Sequence, residues 1–143
     1  RKTVLVDSVQ KKMAIVGSVL SELGIAEQIS TYGGRIEYLA HECPCVFTAL
    51  TARALSKLSV LMELASPLLV NGGLLICYKA NVQEEEWEHA LSLQEKLGMR
   101  LYSDRTLTLS DGETSRRIIT FEKTGRPKLK LPRHVGFAQK KPL

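Results

Sequence analysis

A chain of 143 residues, 44% hydrophobic and 24% charged, is long enough to bury one core and too apolar to behave as a disordered polymer. No stretch approaches the roughly 18 consecutive apolar residues that span a bilayer, and the first residues are charged and then strand-like where a signal peptide needs an apolar centre, so the expectation is a soluble, cytoplasmic protein. The net charge of +5 is a modest basic excess, and its meaning depends on where it sits.

Thr3 to Val6 reads as a buried strand, and Ser8 to Leu23 as a helix with Val9, Met13, Val16, Leu20 and Leu23 on one face and Gly24 as its cap. Gln28 to Tyr32 is a short second strand, followed by Gly33, Gly34 and a polar segment, Arg35 to Glu42. Val46 to Leu50 is a third strand. The next helix carries Leu55, Leu58, Leu61, Met62 and Ala65 inward and stops near Pro67, and "NGG" at Asn71 to Gly73 predicts a chain reversal. Leu74 to Tyr78 is almost wholly apolar, as a parallel strand covered on both faces should be. Val82 to Leu97 is a helix whose Glu84, Glu85 and Glu86 suit its positive end. Arg100 to Leu109 and Arg116 to Lys123 alternate in polarity around "SDGET" and predict an antiparallel hairpin. Strands alternating with helices and then a hairpin imply a three-layer α/β sandwich, residues 1–123.

After Glu122 there is no acid. Lys123, Arg126, Lys128, Lys130, Arg133, Lys140 and Lys141 follow among Pro127, Pro132 and Pro142, so residues 124–143 read as a basic tail, either a solvated extension or a polyanion contact. At the other end, the first strand stops on Asp7. In open parallel sheets ligands bind beyond the carboxyl ends of the strands, and an acid ending the second strand of a nucleotide-binding unit accepts hydrogen bonds from ribose hydroxyls. Asp7 suits that role, and it equally suits an acid beside a helix N-terminus. The ribose reading makes Thr3 to Asp7 the second strand of such a unit, with a central strand and its glycine-rich loop expected ahead of it.

Four segments, in order and with sensible spacing, resemble one family. These are "LVDSVQKK" (Leu5 to Lys12), "GRIEYL" (Gly34 to Leu39), "ARALSKLSVLMELASPLLVNGG" (Ala52 to Gly73) and the close "RPKLKLPRHVGFAQKKPL" (Arg126 to Leu143). They are similar to motifs of the GidB/RsmG family of 16S ribosomal RNA guanine-N7 methyltransferases. The resemblance implies a class I, Rossmann-like methyltransferase fold with a C-terminal antiparallel hairpin, S-adenosylmethionine as cofactor, and 16S rRNA or the small ribosomal subunit as partner. It places Asp7, Ser8 and Val9 at the cofactor ribose, Ile36 and Glu37 beside the adenine, and Arg53 at the methyl-donor end. It makes Lys128, Lys130, Arg133, Lys140 and Lys141 candidate RNA contacts. Position 36 is Ile where the family has a small residue, Ala80 stands where a glycine is common, and the family's glycine-rich loop is not among these residues. A non-catalytic RNA-binding module and a dinucleotide-dependent oxidoreductase are the competing readings, and the terminal hairpin weighs against the second.

The implied reaction asks little of side chains as acids or bases. Guanine N7 offers an in-plane lone pair, so no proton must leave before the sulfonium methyl is transferred, and orientation with exclusion of water does the work. Cysteine nucleophiles are not required, and Cys77 reads as a small buried residue of its strand. His41, Cys43 and Cys45 lack the spacing of a structural zinc site, and no metal is expected. Three cysteines without framework spacing fit a reducing compartment.

Overall fold

The computed structural model describes residues 2–143. Strand β1 (Thr3–Asp7), helix α1 (Gln10–Glu22) and strand β2 (Ile29–Gly33) form the first unit, with β1 and β2 parallel from Thr3 opposite Ile29 to Asp7 opposite Gly33. Met13 and Leu20 are the fully buried residues of α1, whereas Val9 and Leu23, predicted to face inward, are more than half exposed. The strand itself is only half covered, with Leu5 at the surface, because β1 has β2 as its one hydrogen-bonded neighbour among the described residues.

The supposed polar segment after β2 is a helix, α2 (Ile36–Glu42). Ile36, Leu39, Ala40 and Cys43 fall at helical spacing and pack with Leu68, Val6 and Tyr32. Two turns are too few to hold by propensity alone, so this contact makes the helix.

Strand β3 (Phe47–Arg53), helix α3 (Leu58–Ala65), strand β4 (Leu69–Lys79), helices α4 (Glu84–Ser92) and α5 (Gln94–Leu97), and strands β5 (Met99–Thr108) and β6 (Ser115–Lys123) follow. They give a second sheet of order β3-β4-β6-β5, in which β3 and β4 are parallel and the β5–β6 pair is the predicted antiparallel hairpin. "NGG" does not reverse the chain. Leu69 pairs with Phe47 and Leu74 with Ala49, so five residue steps of β4 face two of β3, and Asn71 to Gly73 are a bulge within one continuous strand. Gly72 takes the left-handed φ of +79° that the bulge requires.

Helix α3 starts at Leu58, later than predicted, and Leu55 stands exposed in the loop before it. The start is set from outside: Glu86 of α4 accepts the Leu58 N–H at 2.9 Å and pairs with Lys79 at 2.8 Å, while Lys79 donates to the Ser56 carbonyl at 2.8 Å. The acid read as a helix-dipole partner in α4 thus caps a different helix. The main core lies between α3, α4, α5 and the second sheet, around Leu58, Met62, Leu69, Cys77, Leu97, Ile119 and Phe121. Trp87 packs at its rim beneath the Arg117 guanidinium, 4.4 Å from the ring centre.

The C-terminal segment folds back on the domain instead of projecting from it. Thr124 N–H donates to Gly98 O and Lys128 N–H to Lys96 O, Leu129, Leu131 and Leu143 join the main core, and a short helix α6 (Phe137–Lys140) follows. Arg133 forms two 2.7 Å hydrogen bonds to Glu63, which is nearly fully buried on α3. His89 Nε2 meets the Leu143 carbonyl at 2.7 Å. In the alternation of Leu with basic residues at 128–131, Leu129 and Leu131 pack on the core, Lys128 pairs with Glu95 and Lys130 is exposed.

Candidate functional site

The parallel strands end on Asp7 (β1), Gly33 (β2), Arg53 (β3) and Lys79 (β4). At Asp7 the chain leaves β1 for α1, and the carboxylate is shared between two local donors: Oδ1 accepts the Val9 N–H at 2.9 Å, and Oδ2 is paired with Lys12. The Lys12 ammonium first, and the Val9 N–H second, hold the Asp7 carboxyl below the usual carboxylate range, so it is an anion at neutral pH. Ser8 and Val9 are exposed beside it. The local role of an acid at a helix start and an accessible carboxylate at a strand's carboxyl end therefore coexist in one residue.

The pair Ile36 and Glu37 divides. Ile36 is half-buried at the start of α2. Glu37 turns inward: it is 6% exposed, and its Oε1 accepts the Gly136 N–H at 2.7 Å. The side chain assigned to the adenine is thus committed to fastening the C-terminal segment, because an uncompensated buried carboxylate would be costly. Glycine at 136 takes a φ of +79° ahead of α6.

Arg53 is exposed and lines a cavity of about 510 Å³ between the carboxyl ends of β3 and β4, with Ala54, Ser56, Tyr78, Lys79 and Arg116. Ala54 sits at a left-handed φ of +52°, a conformation that costs a non-glycine residue free energy and turns the chain sharply after Arg53. The Lys79–Glu86 pair, 15% exposed on both sides, braces this loop from below. Tyr78 presents an exposed ring at the cavity, and Arg116 adds a second guanidinium. Sequence reading passed over Lys79, Glu86 and Arg116 as site residues. For Tyr78 the legible signal is the strand period, which puts it on the opposite face from buried Cys77.

Of the basic residues proposed for RNA, Lys130, Lys140 and Lys141 are exposed, Lys128 forms an exposed pair with Glu95, and Arg133 is bound to Glu63. Lys141 lies 5.0 Å from the Phe137 ring centre.

This arrangement is that of a class I methyltransferase fold. An rRNA methylase from Streptococcus thermophilus superposes with a TM-score of 0.60 at 19% identity, over 87% of this chain and 74% of that one. A SAM-dependent O-methyltransferase from Thermotoga maritima gives 0.60 at 12% identity, over 90% and 52%. The [4+2]-cyclase SpnF gives 0.64 at 12% identity, over 86% and 67%, so the fold by itself does not choose the reaction. The sequence narrows the choice: residues 1–114 match the model of GidB, rRNA small subunit methyltransferase G, and the chain belongs to that family. Proteins named ribosomal RNA small subunit methyltransferase G share 33% identity in Limosilactobacillus reuteri and 34% in Thermotoga petrophila, each over 99% of this chain. The chain spans 60% and 61% of the lengths of those two relatives.

Proposed function

We propose that these residues form the ribose-facing and base-facing part of an S-adenosylmethionine-dependent enzyme that methylates guanine N7 in 16S rRNA in the cytoplasm. The observation that carries the reading is an ionised Asp7 at the carboxyl end of a parallel strand in a chain that matches GidB over residues 1–114. Asp7 would exchange its Lys12 contact for the two ribose hydroxyls, with Ser8 and Val9 beside them. Ile36 would line the adenine through its backbone and alkyl group, while Glu37 acts on the C-terminal segment and so at one remove from the cofactor.

The bound cofactor supplies an electrophilic methyl on sulfur. This chain's part is to hold and orient: Arg53 and Arg116 bring positive charge to an RNA phosphate or a base carbonyl oxygen, and Tyr78 offers a face on which a base can stack. No residue here needs to accept a proton, because N7 attacks through its lone pair. Relatives carry length beyond what this chain spans, and β1 and β3 each have one unpaired edge among the described residues. A strand filling both edges would bring a glycine-rich loop to the methionine end. We assign RNA contact to Lys130, Lys140 and Lys141, with Lys128 exchanging Glu95 for phosphate. Residues 124–143 act as part of the methyltransferase domain.

The test is made at the gene, in the native host. Asp7→Ala should lower N7-methylguanine in 16S rRNA, read by chemical cleavage at the modified base, and weaken cofactor binding by about 1–3 kcal/mol, the scale of a lost charged hydrogen-bond acceptor. Unchanged methylation would sink the ribose assignment. A protein that binds rRNA equally well with and without cofactor, and leaves methylation untouched when deleted, would favour the non-catalytic module.

A further inference from the structure

The opposite end of the second sheet, away from Arg53, carries a second cavity. It measures about 480 Å³ and lies where β3 and β4 begin and β6 ends, walled by Pro44, Pro67, Pro132, Leu131, Val70 and Ala40. Prolines have a fixed φ, so this wall is largely preformed, and the volume falls in the range of small-molecule sites. Its charged and titratable lining is Lys123, Arg126, His41 and Cys45, with no carboxylate.

Lys123 is the unusual member. Its side chain is 3% exposed and donates to Ser66 Oγ at 2.6 Å, and that hydroxyl passes its own hydrogen to the Leu97 carbonyl at 2.7 Å. An ammonium has three N–H donors. Among the described residues the protein supplies one acceptor, and neither Lys123 nor Arg126 has an ion-pair partner. Elsewhere Glu63 is paired with Arg133 and Glu86 with Lys79, and buried Glu37 accepts the Gly136 N–H. Burial lowers the Lys123 pKa, the expected response of a cation short of acceptors.

We propose that this cavity binds a small organic oxyanion, a phosphate monoester or carboxylate on a compact apolar body, with Lys123 as its central cation and Arg126 and His41 at its mouth. The oxyanion would fill the vacant donor directions of Lys123, and the proline and leucine wall would cover the body. The site is at the far ends of β3 and β4 from Arg53 and stands independently of the proposed methylation.

Cys45, exposed on the same cavity, is a built-in reporter. The full chain is titrated with phenyl phosphate, benzoate and uncharged benzyl alcohol while iodoacetamide alkylates it, and the Cys45 rate is read by peptide mass spectrometry with Cys43 as the internal reference. Saturable protection by at least one anion, and none by the alcohol, is expected. Lys123→Met, which keeps the aliphatic stem, should weaken protection about tenfold or more, and exposed Arg126→Ala less so. Should Lys123→Met fail to fold, Arg126→Ala carries the comparison alone. Stronger protection by phenyl phosphate assigns a phosphate monoester, and stronger protection by benzoate a carboxylate. Equal protection by the alcohol, protection by neither anion, or protection unchanged in the folded variants overturns the proposal.

Discussion

Cys77 and Asp7 show how one strand end and one strand interior set opposite fates for an ionisable group. Asp7, at the solvent edge, gains donors that favour its charged form. Cys77, fully buried between Ile76 and Tyr78 on the central strand β4, loses water and is pushed up to about 12. The folded state therefore holds the Cys77 proton where the unfolded chain, with its thiol near 9.0, releases it. That contribution to stability is complete below pH 9 and is lost progressively as pH rises toward about 12. The stability difference between the wild type and Cys77→Ala, measured by urea unfolding, should be constant through neutral pH and shift against the wild type above pH 9. In the folded chain at neutral pH, Cys77 should resist alkylation while Cys45 reacts.

At the scale of elements, the C-terminal segment is fastened along its length, by Glu37 to Gly136, Glu63 to Arg133 and Gly98 to Thr124 among other contacts. Arg133→Ala leaves the Glu63 carboxylate buried and unpaired, which should cost about 3 kcal/mol, the low end for such a break because Arg133 is itself 20% exposed. Substituting the exposed Lys130, Lys140 and Lys141 together should leave the melting temperature alone and flatten the salt dependence of RNA binding by roughly two to three in log-log slope. A stability loss from the lysines, or an unchanged slope, would return them to the structural part of the segment. Gly98, with φ at +63°, meets the same segment so closely that an added Cβ would lie 2.4 Å from the Gly125 carbonyl oxygen. Gly98→Ala should lower stability by about 2 kcal/mol or more through strain and displaced backbone, seen as an earlier urea midpoint.

Over the whole molecule, the two sheets have no hydrogen-bonded strand between them among the described residues. The small cluster of Leu39, Ala40 and Leu68 joins them from one side, and Val6, Tyr32, Phe47 and Leu50 pack against it. If a further strand carries the glycine-rich loop, the 143-residue chain should bind S-adenosylmethionine only weakly, because ribose and adenine contacts remain while the methionine end lacks its cradle. Calorimetric titration checks this, and micromolar affinity would show that these residues complete the pocket by themselves.

What the sequence determined was the order of strands and helices, the closing hairpin, the edge position of Asp7 and the family, because hydrophobic period, turn residues and motif spacing are local properties that survive without a partner. Helix α2 escaped because it is too short to announce itself apart from its contact with Leu68, and the bulge at Asn71 to Gly73 because a turn signal cannot reveal whether the chain resumes its old direction. Tertiary structure alone decided which charges were free. Glu37, Glu86 and Arg133 looked like surface or ligand-facing groups until Gly136 ahead of α6, the first N–H of α3 and Glu63 within α3, respectively, took them as partners. A charge's role depends on what lies within a few ångströms of it, and those neighbours come from positions as far as 99 residues away, a distance that no local pattern encodes.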